Sequence, residues 1–271
     1  MKSKKLFALL PLLALMGCSV ELPEGSGIST ASAYSGDLTP VGIVARDMHS
    51  SNCVVDADIT TYLNGSSGLA NTAHEKLEFC GNKLRLTVEA MSESSSTPSV
   101  GYIVLENKEL TAIAYIDGAY YYSPTTMHYD GDVLTPDFLF NYSGNYIFKE
   151  RVYNVFSNMD PNSVTFGEDG RYHVPDFLLH ADYSSLGITV EGYEETGVPV
   201  TYKDIYFTVE NDKLATLEYS VATFNLKYKS AGVYVFEESE ELYGSAKLSL
   251  SNYGNVAFDL PSEILEYPTN A

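Results

Sequence analysis

The sequence has few basic residues. Its 271 residues include 16 Lys and Arg against 36 Asp and Glu, which gives a formal net charge of −20 at pH 7. Nucleic acid is itself an anion and is usually bound by clustered Lys and Arg. The same negative field repels anionic lipid headgroups, which basic segments attract. The composition therefore excludes a nucleic-acid-binding protein and predicts a solvated acidic surface.

The sequence also lacks the motifs of common catalytic and metal sites. Its five histidines are scattered, with no pair at the spacing of a zinc-binding helix: His49, His74, His128, His173 and His180. Asp56 with Asp58, and Asp130 with Asp132, lack the further oxygen ligands of a calcium loop. No G-x-S-x-G elbow and no phosphate-binding loop occurs. The sequence predicts no metal and no cofactor, and a hydrolase built on two unrecognised carboxylates is an alternative.

Tryptophan is absent, and long runs of helix-forming residues are scarce. The chain has instead 22 tyrosines and 12 phenylalanines, and 45% of its residues are hydrophobic. Aromatic and β-branched residues favour strands. The composition therefore predicts a β-dominated fold with enough apolar residues for a substantial core.

The N-terminus has the order of an export signal. Three lysines among the first five residues precede an uncharged run, Leu6–Met16, and then Gly17. This run is shorter than the roughly 20 residues that a membrane-spanning helix needs. It is therefore predicted to be removed after export rather than to remain as an anchor.

The residues around Cys18 resemble a bacterial lipobox, reading Leu15-Met16-Gly17-Cys18. The resemblance implies that Cys18 carries a diacylglyceryl group and becomes the first residue once the signal peptide, residues 1–17, is cut off. Two or more acyl chains are enough for stable membrane anchoring. The partner is then a membrane, and the location is the cell envelope on its extracytoplasmic side. An ordinary signal peptide with a chance cysteine is the alternative.

The segment that follows is rich in Gly, Ser and Pro and has no hydrophobic periodicity. Residues 18–38 are therefore predicted to be a flexible tether, and residues 39–271 a single β-rich domain. Without the three lysines of the signal, 13 basic residues face 36 acidic ones, a formal charge of −23. We expect attachment through the lipid alone.

The remaining cysteines, Cys53 and Cys80, form an even pair in an exported, oxidising setting. A disulfide between them closes a loop of about 27 residues and stabilises the fold by roughly 3 kcal/mol. Two buried reduced thiols are the alternative. A zinc site is not predicted, because no second Cys or His pair has a zinc spacing.

Short alternating segments separated by turn residues predict strands through most of the chain. The segments are 53–63, 76–91 broken at Gly81-Asn82, 100–105, 110–122 with a hairpin at Asp117-Gly118, 172–180, 187–193, 204–210, 214–228, 233–238, 247–251 and 256–260. Asn211-Asp212 marks a further reversal. Helical spacing of aromatic residues favours a helix in Asp137–Met159, whereas Thr39–Arg46 fits a strand or a helical turn equally.

Strands joined by short turns predict a mainly β (α+β) fold, a curved antiparallel sheet or unclosed barrel with a few helices packed on one side. The pattern is similar to the LolA/LppX-LprG class of envelope lipoproteins, through the lipobox, the strand pair around Asp117-Gly118 and the closing segment Tyr253–Pro261. The resemblance implies that an acyl chain or another apolar ligand is carried between sheet and helices.

The sequence thus favours a non-enzymatic envelope lipoprotein that binds or carries an apolar ligand such as lipid. A cavity lined by aliphatic and aromatic side chains is expected in that case. The main alternative is a surface interaction or scaffolding lipoprotein, which predicts a contiguous exposed apolar patch.

Overall fold

The computed structural model of the chain describes residues 38–62, 70–90, 99–129, 131–137, 147–148, 152–182, 189–230 and 232–266. The helices in these ranges are α1 (Pro40–Met48) and α2 (Val152–Asn158), with one 3-10 turn at Pro161–Ser163. The strands are β1 (Asn52–Tyr62), β2 (Ala70–Cys80), β3 (Lys83–Ala90), β4 (Ser99–Glu106), β5 (Glu109–Ile116), β6 (Ala119–His128), β7 (Ile147–Phe148), β8 (Thr165–Phe166), β9 (Tyr172–Val174), β10 (Phe177–Asp182), β11 (Thr189–Val190), β12 (Val198–Glu210), β13 (Lys213–Ser230) and β14 (Val233–Ser251).

The strands form one large curved sheet that does not close. Neighbouring strands follow the order β6-β5-β4-β3-β2-β1-β14-β13-β12-β10-β7, and every pair on this path is antiparallel. Off this path, β9 pairs with β12 and β8, and β11 pairs with β14 in parallel. The predicted fold class is confirmed.

Tight turns connect several pairs of successive strands. Asp117 and Gly118, between β5 and β6, have φ values of 48° and 96°. Asn211 and Asp212, between β12 and β13, have φ values of 50° and 58°. Positive φ at both central residues is the type I′ geometry, whose twist matches that of the flanking strands. Both predicted reversals are confirmed.

A β-bulge in β12 changes which residues face the core. The pairing of β12 with β13 shifts between Lys203 and Tyr206, and Asp204 within the shift has a φ of 51°. Before the bulge the buried residues are even-numbered, as at Tyr202, and after it they are odd-numbered, as at Phe207. Bulges of this kind bend a strand and increase its twist.

The helices agree with the sequence only in part. Thr39–Arg46 is helical within α1, because the Thr39 hydroxyl caps the helix by accepting from the Gly42 N–H at 3.2 Å and Pro40 fits the first turn. In Asp137–Met159, α2 confirms the end of the predicted helix, but Ile147–Phe148 is a strand paired with β10. Residues 138–146 and 149–151 lie outside the described ranges. In the part of the chain that is described, no helix has the length and apolarity to span a bilayer.

The final strand is longer than predicted. β14 runs unbroken from Val233 to Ser251, where the sequence indicates two strands separated by polar residues. Residues 241–246 pair with β13, and a register shift between Phe224 and Asn225 of β13 leaves residues 238–240 of β14 without a partner in this ladder. The predicted strand at 256–260 is wrong, since this segment has no regular structure. It crosses the sheet instead, and Phe258 packs at 6.1 Å from the Tyr102 ring.

Candidate functional site

One face of the sheet, which we call the inner face, carries the main hydrophobic core together with α1 and α2. Alternate residues of neighbouring strands meet there in register, as Val55 on β1 meets Leu77 on β2 and Leu77 meets Leu86 on β3. Cys53, Val55, Leu77, Phe79 and Leu84 are all 0% exposed. This part, near the start of β1 and the end of β2, we call the covered end.

Farther along the same strands the inner face stays apolar but is partly accessible. A row in register crosses β13, β14, β1 and β2 through Tyr219, Ala246, Ile59 and Ala73. Together with Val221 of β13, Tyr202 of β12 and Phe177 of β10, these residues form what we call the rim strip. Six strands at their usual spacing make it about 24 Å long. Most of its side chains are half-buried, although all of them except Ala73 belong to or pack against the main core.

Aromatic rings in contact form one end of the rim strip. Phe177 stacks on Tyr202 with ring centroids 5.0 Å apart, and Tyr202 lies 5.5 Å from Tyr219. Phe156 of α2, which is 2% exposed, meets Phe177 edge-on at 6.1 Å. Ala246, Ile59 and Ala73 form the aliphatic end. The strip therefore runs from an aromatic end to an aliphatic end.

An acidic side chain, Glu75, lies beside the aliphatic end. It is two residues from Ala73 on β2, on the same face as Leu77, and pairs with the buried residues Ala57 and Val88 of the adjacent strands. Burial raises the pKa of the Glu75 carboxyl, and the nearby His74 opposes this shift. Within the described ranges its carboxylate has no hydrogen-bond or ion-pair partner.

A second polar group lies in the same row. Val88 of β3 pairs with Glu75 on one side and with Ser99 of β4 on the other. The Ser99 Oγ is buried and has no hydrogen-bond partner among the described residues. Two strand spacings separate Glu75 from Ser99, or about 10 Å between their backbones. The inner face thus carries two unpaired polar groups around Val88.

The two domain cysteines lie on adjacent strands but on opposite faces of the sheet. Cys53 pairs with Phe79, and Cys80 pairs with Asn52, so alternation points the two side chains apart. Both are free thiols, and the predicted disulfide is not formed in this structure. Burial raises the pKa of Cys53 to about 12, which keeps its thiol protonated and unreactive. Cys18 lies outside the described ranges.

Two acids that were candidates for metal ligands, Asp56 and Asp58, lie on the other face of the sheet, which we call the outer face. Asp58 contacts the His74 Nδ1 at 2.8 Å, and Asp56 pairs in register with Lys76. His173 stacks on Tyr206 with centroids 4.8 Å apart. Asp130 is not described. Among the described residues no group of three or more His, Cys, Asp or Glu side chains is arranged to hold a metal ion.

Sequence reasoning missed both polar groups of the inner face. In the sequence, each of these groups is a polar residue at a position where the alternation of the strand calls for an apolar one. Glu75 is separated from Leu77 and Phe79 by an even number of positions and so faces the same side of the sheet, and the same holds for Ser99 with Ile103 and Leu105. Each lies at or beyond the end of the segment in which alternation is evident. The face on which its side chain lies therefore becomes clear only from the observed strand register.

Comparison with known protein families finds no match, and no curated protein matches the chain. Three solved structures are similar to it. A LolA superfamily protein from Nitrosomonas europaea has a TM-score of 0.27 and 12% identity, covering 82% of this chain and 93% of its own. A DUF1329 family protein from Desulfovibrio piger has a TM-score of 0.31 and 8% identity, covering 80% and 92%. An outer membrane lipoprotein-sorting protein domain from Vibrio parahaemolyticus has a TM-score of 0.27 and 9% identity, covering 78% and 89%. These scores are too low to transfer a ligand or an activity.

Proposed function

We propose that this chain is a non-enzymatic, membrane-anchored envelope lipoprotein that binds an acyl chain or another apolar ligand along the rim strip. The supporting observation is the contrast along the inner face. Leu77 is 0% exposed at the covered end, whereas Ile59 and Ala73, on the same face of the same strand pair, are half-buried. An apolar surface that its own core does not fully bury is suited to a ligand.

The composition of the rim strip fits this role. Small-molecule sites are mostly apolar and aromatic, with a few placed polar groups. Each 100 Å² of apolar surface removed from water contributes about 2.5 kcal/mol. The strip offers stacked rings, small side chains and a nearby carboxyl, and its length of about 24 Å suits an extended chain.

The anchor completes the proposal. Cys18 carries the diacylglyceryl group after residues 1–17 are removed, and residues 18–38 tether the domain. A flexible tether of about 20 residues has a root-mean-square end-to-end distance of about 25 Å. The domain then works next to the bilayer surface, where lipid ligands are available.

Adjacent residues on β2 provide a matched test of ligand binding. Ala73→Phe places a ring on the rim strip, and Thr72→Phe places the same ring on the outer face. We expect Ala73→Phe to lower the affinity of the chain for a fluorescent acyl probe with an uncharged head by about tenfold and Thr72→Phe to leave that affinity unchanged. Equal effects of both variants, or no probe binding by the unaltered chain, contradict ligand binding at this strip.

The anchor is tested separately by mass spectrometry of the exported chain. We expect an N-terminal Cys18 with a diacylglyceryl mass, and a Cys18→Ser variant that leaves the membrane fraction. A mature chain that begins at another residue with an unmodified Cys18 contradicts the anchor and leaves the test of ligand binding intact.

A further inference from the structure

The two unpaired polar groups of the inner face indicate which kind of polar head a ligand of the rim strip would carry. Glu75 and Ser99 flank Val88 in one row of β2, β3 and β4, next to the row that contains Ala73. Buried polar groups in folded proteins are nearly always hydrogen-bonded, and exceptions often mark functional sites. The Ser99 Oγ is such a group, and the half-buried Glu75 carboxyl beside it has no hydrogen-bond partner among the described residues, so both are candidates to be completed by a ligand.

Apolar side chains surround this pair on the inner face. Val88 is 5% exposed and Ala57 is 1% exposed, and both belong to the main core. The described cations nearest in sequence, Lys76 and Arg85, alternate to the outer face, where they meet Glu78. Of the described residues, neither of these cations faces an anionic ligand head there, and such a head would meet the carboxyl of Glu75.

We propose that Glu75 and Ser99 anchor the head of the bound lipid, and that this head donates hydrogen bonds and carries no negative charge. The inference rests on the proposed function, since the acyl chain would lie along the rim strip. A hydroxyl of the head donates to the Glu75 carboxylate, and a second polar atom reaches the Ser99 Oγ across Val88. A monoacylglycerol has this chemistry, whereas a free fatty acid does not.

Two ligands with the same acyl chain and different heads measure the contribution of the head to binding. Displacement of a fluorescent acyl probe from the purified chain is measured at pH 8 with 1-monooleoylglycerol and with oleate. We expect the monoacylglycerol to bind about tenfold more tightly or better, which is the fold-change that one hydrogen bond to a charged group supplies. Glu75→Gln should remove most of this preference by relieving the repulsion of oleate.

Ser99→Ala tests the second contact. We expect it to weaken the monoacylglycerol by about threefold to tenfold, in the range of one neutral hydrogen bond, and to leave oleate unchanged. Glu78→Gln is the matched control, because it makes the same chemical change three residues away on the outer face of β2. It should keep the preference of the unaltered chain.

The outcomes separate this inference from the proposed function. Binding of both probes with equal affinity, or a preference that survives Glu75→Gln, overturns the assignment of the head and leaves acyl binding in place. Failure of both probes to bind overturns acyl binding itself. A preference that Glu75→Gln removes and Glu78→Gln keeps supports the inference.

Discussion

Two glutamates three residues apart on β2 have opposite environments. Glu78, on the outer face, accepts from the Arg85 Nε at 2.5 Å and from the Arg85 Nη2 at 2.6 Å, and Lys76 lies 3.9 Å away. These contacts with Arg85 lower the pKa of Glu78. Glu75, on the inner face, has its pKa raised by burial. Strand β2 therefore carries one glutamate whose charged form is stabilised by neighbouring side chains and one whose charged form is not.

The difference extends to the two faces. On the outer face, Glu218 accepts from Arg171 at 3.1 Å and contacts Lys247 at 3.0 Å, which links β13 to β14 and to the chain before β9. These opposite charges are paired across neighbouring strands, an arrangement that contributes modestly to sheet stability. On the inner face, Glu75 interrupts an apolar row. Departures from local rules of this kind are expected at functional sites, so the inner face is where a ligand is to be sought.

The largest effect is expected at the covered end. Phe79→Ala should lower the free energy of unfolding by about 3–5 kcal/mol, because it opens a cavity in a site that is 0% exposed. Phe166→Ala is the control, since Phe166 is 64% exposed and should change stability by less than about 0.5 kcal/mol. Urea unfolding measures both. Similar losses in the two variants would mean that Phe79 is not in the core.

Glu78→Gln should destabilise the chain by about 2 kcal/mol at pH 7, because it removes a charge-assisted, two-bonded contact with Arg85. The folded pKa of Glu78 lies below its unfolded value of about 4.3, so this stabilisation is present above pH 4 to 5 and is lost as pH falls further. Unfolding curves at pH 7 and pH 3.5 should show the loss shrinking. A loss independent of pH would argue against the ion pair.

Glu75→Gln should act in the opposite direction. The pKa of Glu75 is raised in the folded state. Its burial therefore does not lower the free energy of unfolding below the unfolded pKa of about 4.3, where the carboxyl is neutral, and lowers it as pH rises through the folded pKa. We expect a gain of about 1 kcal/mol at pH 7 that disappears near pH 4. The same unfolding series measures it. A destabilised Glu75→Gln variant at pH 7 would show that the native fold pairs this carboxylate.

The smallest effect is expected from an exposed member of the outer-face pairs. Lys247 has 57% of its side chain exposed, and its contact with Glu218 is one of two that this carboxylate makes. Lys247→Ala should cost less than about 1 kcal/mol, and the cost should decrease in salt. A larger loss that salt does not reduce would indicate a packing role for the lysine stem.

The sequence predicts local features well. Period-two alternation over Leu84, Leu86 and Val88 predicts β3, and Asp117-Gly118 predicts a hairpin, because both depend on residues adjacent in the chain. The predicted disulfide, which is not formed in this structure, depends instead on residues brought together by the sheet. Cys53 and Cys80 are a plausible pair by count, but the β1–β2 register places Asn52 opposite Cys80 and turns the two thiols to different faces.

Two features of the candidate site depend on contacts distant in the chain. Tyr219 and Ile59 belong to one row only because β14 lies between β13 and β1. Glu75 and Ser99 are 24 positions apart and meet around Val88 only through the pairing of β2, β3 and β4. Neither arrangement has a local signature. In β12, the bulge at Asp204 also changes which alternate residues face the inner side, so simple alternation along this strand gives the wrong face after the bulge.

By itself the sequence determined the β-rich class, the positions of the tight turns and the phase of the regular strands. These follow from backbone propensity and from burial of alternate side chains, both of which act over a few residues. Only the tertiary structure decided which acids are paired, on which face each cysteine lies and which part of the inner face stays accessible. Those properties depend on strand order and register, because a one-residue shift in register moves every side chain to the other face.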